Sequence, residues 1–182
     1  MVANRRRADG FTLLEVLIVT VIMGLLMAVA VPGIKTLLNN QKMKSATFDL
    51  VTTAMLARSE AIKWGGAPDP STGVLRASIS IVAPSNDFSN GWCIVFTSTT
   101  TCSVSAPADG VMQIIKPTAN MTYVYQGTAA PIIFTRTGRL AGNAAITLRV
   151  TDVDNYATPR CVTFDTNGNA RVRVMSDHTT PC

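Results

Sequence analysis

The sequence predicts an α+β protein: a long N-terminal helix, membrane-spanning in its first half and kinked near Pro32, packed by its second half on a C-terminal antiparallel β-sheet domain. Three observations predict it. Residues 11–31 form a 21-residue apolar run carrying one charge, Glu15. Helical spacing of apolar residues then continues past Pro32 to Trp64. Beyond Gly73 the pattern changes to short β-branched segments of period two, separated by turn-forming dipeptides. With 182 residues the chain holds one ordinary domain plus an appendage.

Residues 1–10 read as a leader that is cut away. The whole chain carries a formal charge of +5, and removing residues 1–10 leaves 13 basic against 10 acidic residues. The alkaline pI of 9.3 is therefore a weak argument for nucleic acid. The cluster Arg5, Arg6 and Arg7 fits better with the excess of cations found on the cytoplasmic side of membrane segments. A 21-residue apolar run is long enough to cross a bilayer as a helix, and long for the apolar core of a secretory signal. A signal peptide cut after Ala30, in the small-residue stretch Ala28-Val29-Ala30, is the rival reading. Glu15 argues against it, because a charge in the hydrocarbon costs roughly 2.5–3.5 kcal/mol and marks a functional partner.

A cut between Gly10 and Phe11 supplies that partner. Phe11 then carries a new cationic amino group, and Glu15 lies four residues on, on the same helix face. The carboxylate also suits the positive end of the helix dipole. Pairing with the terminus of its own or a neighbouring subunit would set the register between apolar helices, since an unpaired buried charge is heavily penalised.

The stretch Gly10-Phe11-Thr12-Leu13-Leu14-Glu15, after a short basic leader and before an apolar helix, resembles the processing site of a type IV prepilin. The resemblance implies cleavage after Gly10 by a prepilin peptidase, N-methylation of Phe11 and subunit docking through Glu15. It implies no cofactor, and as partners other pilins and minor pilins met through the N-terminal helix, together with an inner-membrane assembly platform. The implied location is the bacterial inner membrane, single-pass with a periplasmic C-terminal domain, and then a pilus or pseudopilus at the cell surface. Pro32 matches a helix-kinking proline of that family. The bend is also expected physically, because proline lacks the amide hydrogen and crowds the preceding turn.

After the apolar half (11–31), the helix is expected to run on to residue 64. Ile34, Leu37, Leu38, Phe48, Val51, Met55 and Ile62 form the stripe expected to face the sheet, widened by Leu50, Ala54, Ala57 and Ala61. Residues 65–73, rich in glycine and proline, form a linker. The β-rich domain takes residues 74–182, with strands predicted at 74–82, 92–97, 111–116, 121–125, 132–136, 146–151, 160–165 and 170–175. Asn90-Gly91, Asp109-Gly110, Thr137-Gly138 and Asn167-Gly168 supply turns. Such closely spaced strands pair antiparallel.

Asn90-Gly91-Trp92-Cys93, Phe134-Thr135-Arg136-Thr137-Gly138-Arg139 and Cys161-Val162-Thr163-Phe164 with Asn167-Gly168 are similar to minor pilins and pseudopilins of the FimT/FimU and GspH type. That resemblance implies a low-abundance subunit that initiates or caps a type IV pilus. A minor pseudopilin of a type II secretion system shares the same features and stays open as an alternative. Trp92 and Phe96 share one strand face and read as core.

Four cysteines, Cys93, Cys102, Cys161 and Cys182, point to disulfides in an oxidising compartment. Three pairings exist; Cys93 with Cys102 and Cys161 with Cys182 are favoured, because each closes a modest loop across a turn-rich stretch. Zinc is disfavoured, since no two cysteines are close-spaced and His178 is the single histidine. Asp152 and Asp154 are too few carboxylates to argue calcium. The sequence offers no relay for catalysis and no phosphate-binding loop, so the chain reads as a building part and not an enzyme. DNA uptake is the remaining alternative. Some FimT-like pilins bind DNA through a Gly-Arg-x-Arg stretch, matched here by Gly168-Asn169-Ala170-Arg171-Val172-Arg173. Arg171 and Arg173 would share one strand face, and Arg136, Arg139 and Arg149 are further candidates that the sequence alone does not bring together.

Overall fold

In the computed structural model the described residues are 10–66, 78–96, 101–105, 110–127, 131–142, 144–176 and 181–182. The leader arginines, most of the linker, the expected strand start at 74–77, Thr97, Asp109 and His178 lie outside them. The chain divides into two units, Met1–Leu37 and Leu38–Cys182.

A single helix, α1 (Leu13–Trp64), contains both apolar stretches, and its helical backbone continues through Pro32 and Gly33. Its first part is apolar and long enough to cross a membrane, and none of the most apolar window is buried. Eight strands follow: β1 (Ser78–Val82), β2 (Trp92–Phe96), β3 (Val111–Ile115), β4 (Met121–Tyr125), β5 (Ile132–Thr135), β6 (Ile146–Asp152), β7 (Arg160–Phe164) and β8 (Ala170–Val174). They form two antiparallel sheets, ordered β3-β2-β1-β5 and β4-β6-β7-β8. The sequence read as one sheet; the structure makes two, because β4 leaves the first sheet to pair with β6 while β5 returns to pair with β1.

The main core of the second unit joins the helix to both sheets, and its centre is aromatic. Trp92 of β2 lies 5.3 Å from the Tyr123 ring of β4, edge-on, and 5.6 Å from Phe88. The Trp92 indole donates to Thr53 Oγ1 of α1 at 3.2 Å, so helix and both sheets meet at one residue.

Of the expected stripe the helix buries the part carrying Leu50, Ala54, Ala57 and Ala61, with Val51 at its margin, and turns most of the larger residues outward. Met43, Ala46, Thr47, Leu50, Ala54, Ala57 and Ala61 are buried, at helical spacing. Phe48, Met55 and Ile62 are instead 67%, 60% and 55% exposed, and Ile34, Leu37 and Leu38 are exposed too. At about 100° per residue, Leu50 lies about 200° around the helix from Phe48. The helix is apolar on two opposite faces, and alanines let its axis approach the sheets closely, so the small-residue face is the one that packs.

Glycine is required where two turns touch. Gly168, with φ of 79°, packs on the turn after β5, and a side-chain carbon there would stand 2.3 Å from the Gly138 carbonyl oxygen. Arg58 Nη1 of α1 donates to Asn169 Oδ1 at 3.0 Å and ties the same turn to the helix.

Candidate functional site

The N-terminal site is built from the start of α1. Gly10 and Phe11 precede the first helical residue in exposed, non-helical backbone, and the Phe11 side chain is 84% exposed. Thr12 caps the helix: its hydroxyl accepts from the Glu15 amide at 3.2 Å, and its carbonyl accepts from the Glu15 and Val16 amides. The spacing Thr12-x-x-Glu15 is the signature of a capping box, a signal the sequence carries locally. Glu15 thus belongs to the first turn, where the helix dipole favours a carboxylate. Phe11, Glu15 and Val19 follow one another at four-residue spacing, which places the charge between apolar side chains on one face. Further along, the Thr20 hydroxyl is engaged within its own helix, where it donates to the Leu17 carbonyl.

The sheet carries the second set of candidates. Cross-strand register puts Val124, Arg149, Cys161 and Arg173 in one row, and Thr147, Thr163 and Arg171 in the next. Their alternation with the buried Leu148, Val150 and Val162 places them on the outer face of the second sheet. Arg149 therefore joins Arg171 and Arg173 on one face, while Arg136 and Arg139 belong to the turn after β5. Arg173 also donates to the main-chain oxygen of Cys182. Asn169, in the place of the motif's first arginine, braces its own turn, since its amide and side chain donate to Asp165 at 2.9 and 3.1 Å. These bonds, with that from the Asn167 amide and the nearby Arg171, hold the Asp165 carboxyl below its usual range.

Disulfides join Cys93 to Cys102 and Cys161 to Cys182. The first covers a small apolar cluster of Val82, Val95, Val111 and Ile114. The second fastens the last residue of the chain to β7.

Asp152 is 2% exposed and engaged by protein groups. Its carboxylate accepts from Asn39 Nδ2 at 3.1 Å and from the Tyr156 and Ala157 amides at 3.0 and 3.2 Å. Asp154 accepts from Asn120 at 3.4 Å. Among the described residues no group of three potential ligands is arranged to hold a metal. Tyr123 is buried too: burial pushes its phenol up to about 12, against the pull of the Thr118 side chain and with a push from Asp49.

Comparison with known proteins gives the same picture. The model of the prokaryotic N-terminal methylation motif matches residues 5–31, and that of the type II transport protein GspH matches residues 46–168. No curated protein sequence matches the chain. Among solved structures, the type IV minor pilin FimU of Pseudomonas aeruginosa is similar with a TM-score of 0.55 and 17% identity, over 76% of this chain and 96% of that one. A second crystal form of FimU gives 0.52 and 18%, over 74% and 98%. The minor pseudopilin EpsH from the type 2 secretion system of Vibrio cholerae gives 0.48 and 13%, over 75% and 99%. With the GspH model spanning most of the chain behind a methylation motif, the protein belongs to the GspH family of type IV pilin-like minor pilins and pseudopilins.

Proposed function

We propose that this chain is a minor type IV pilus subunit that helps to initiate or cap pilus assembly. A prepilin peptidase cuts after Gly10 and methylates the new Phe11 amino group. The mature protein stands in the inner membrane through residues 11–31, with the β-rich domain in the periplasm, until the assembly platform delivers it to a filament. Glu15 then pairs with the Phe11 ammonium of its own or a neighbouring subunit. One observation carries this reading: an otherwise uncharged, wholly exposed apolar helix start holds one carboxylate a single turn from the cut site. Mass spectrometry of the mature protein tests it. A methylated Phe11 terminus is the expected result, and a terminus at Val31 would mark an ordinary exported domain. Glu15→Leu is expected to abolish incorporation into filaments while leaving cleavage intact; normal incorporation would overturn the docking role.

A minor pseudopilin in a secretion machine would use the same helix and cut site. A deletion strain separates the two: loss of twitching supports a pilus, whereas loss of exoprotein release alone supports secretion. DNA capture is favoured by one observation, the three arginines Arg149, Arg171 and Arg173 on one sheet face. Pairing of these groups with phosphates makes binding fall steeply with salt. Arg171→Ala with Arg173→Ala is expected to flatten that slope by about 2, one for each phosphate no longer neutralised, and an unchanged slope removes this reading.

A further inference from the structure

The first sheet ends at β3, which is hydrogen-bonded to β2 on one side and, among the described residues, has no strand on the other. An edge of this kind offers every second amide and carbonyl to an incoming chain. Charges and prolines, which blunt many natural edges, are absent from Val111–Ile115, although the strand is bulged opposite Ile94 and Val95 and Lys116 follows its end.

Beside that edge lies a trough walled by α1. One part, of 380 Å³, is bounded by Asp49, Leu56, Gln113 and Ile115. The other, of 310 Å³, is bounded by Leu56, Trp64, Met112 and Gln113. Leu56 and Gln113 border both, so the two parts adjoin. Along the helix the trough runs from Asp49 to Trp64, about 22 Å at 1.5 Å per residue. That is the length of an extended segment of about six or seven residues.

The trough carries Asp49 and Lys116 in its first part and Glu60 and Lys63 in its second, and their commitments are unequal. Glu60 accepts from the Trp64 indole at 2.6 Å and pairs with Lys63 at 3.8 Å. Asp49 is half-buried, and its carboxylate has neither an ion pair nor a hydrogen bond among the described residues. A half-buried acid without a partner is complementary to a cation brought by whatever fills the trough.

We propose that the trough between β3 and α1 receives an extended segment of another protein chain, which adds a strand to β3 and places a lysine or arginine against Asp49. Toward Trp64 the trough-facing side chains of that segment are apolar, since Leu56, Ile94 and Met112 line that part, whereas Thr52, Thr53 and Lys116 make the Asp49 end polar. Backbone hydrogen bonds to β3 supply affinity, and the Asp49 contact with the apolar lining supplies specificity. The filament reading matters only for where the partner comes from: a neighbouring subunit would present the segment. The edge and its acid are properties of this chain alone.

A capped peptide, Thr-Lys-Thr-Val-Thr-Leu-Thr, and its reversed sequence serve as probes, because one face carries lysine, valine and leucine. They are titrated into the full detergent-solubilised chain while backbone amide resonances are followed. Saturable shifts centred on residues 111–116, weakened at least five-fold by Asp49→Asn and lost in Leu56→Lys, are the expected result. Leu56 is partly exposed, so its replacement leaves the core in place. An Asp49→Asn protein that binds as tightly as the parent overturns the charge contact. Absence of shifts at β3 with either peptide at several millimolar overturns the site, and concentration-dependent self-association through the same edge overturns the choice of partner. These results are independent of Phe11 methylation and of Glu15, so the site and the filament reading fail separately.

Discussion

At the scale of single residues, burial decides which polar groups act and which merely hold. Tyr123 is the clearest case: its phenol is pushed up to about 12 by burial, from the ordinary 10.0. The unfolded chain releases that proton first. Stability is therefore complete below pH 10 and falls as pH rises toward 12, by about 2–3 kcal/mol for a shift of this size. Phenolate absorbance should show one tyrosine titrating late, absent in Tyr123→Phe and moved to lower pH in Asp49→Asn, which removes a charge that opposes ionisation. Asp152 is purely a holding group. Asp152→Ala leaves the Tyr156 and Ala157 amides and Asn39 unsatisfied and is expected to cost about 3 kcal/mol in denaturant unfolding. Neither result was legible in the sequence, where Asp152 was one of two nearby carboxylates and Tyr123 one strand residue among many. The Asn39 partner of Asp152, brought from 113 residues away, leaves no local trace. Thr12 differs, since its capping spacing to Glu15 is local and readable.

Elements were legible where their punctuation is local. Strand positions follow from β-branched runs between glycine-containing turns, and each described strand lies close to its expected bounds. The helix face was legible only in part: Leu50, Ala54, Ala57 and Ala61 of the expected stripe pack, but Phe48, Met55 and Ile62 repeat as regularly and face outward. Periodicity identifies an apolar face but cannot choose between two. Only the volume available beneath the helix makes that choice. Two substitutions separate the faces. Ala54→Leu inserts extra carbons where the helix meets the core and is expected to cost about 1–3 kcal/mol. Phe48→Ser removes an exposed ring and is expected to change unfolding free energy by less than about 0.5 kcal/mol. Thermal and denaturant unfolding of both variants check this, and a reversed order would mean the outward face is the packed one.

For the molecule as a whole, the α+β class was readable, while the division into two sheets was not. Strand order depends on which non-adjacent segments pair, and β4 and β5 exchange sheets without any sequence signal at the exchange. Disulfide pairing belongs to this scale. The bridge from Cys161 to Cys182 closes a 21-residue separation, and its loss in Cys182→Ser is expected to lower stability by about 3 kcal/mol. The bridge from Cys93 to Cys102 spans only 9 residues, so its removal is expected to cost less by the same entropy argument. Chemical denaturation of the two single-bridge variants orders them.

The burial of α1 from Met43 to Ala61 has a mechanical corollary. Tension applied along the helix axis reaches Met43, Leu50, Ala54, Ala57 and Ala61 together, because they lie in one line against a shared core. The load is borne in shear by the whole row at once instead of unzipping it residue by residue, so the second unit yields to pulling only when the entire seam gives way.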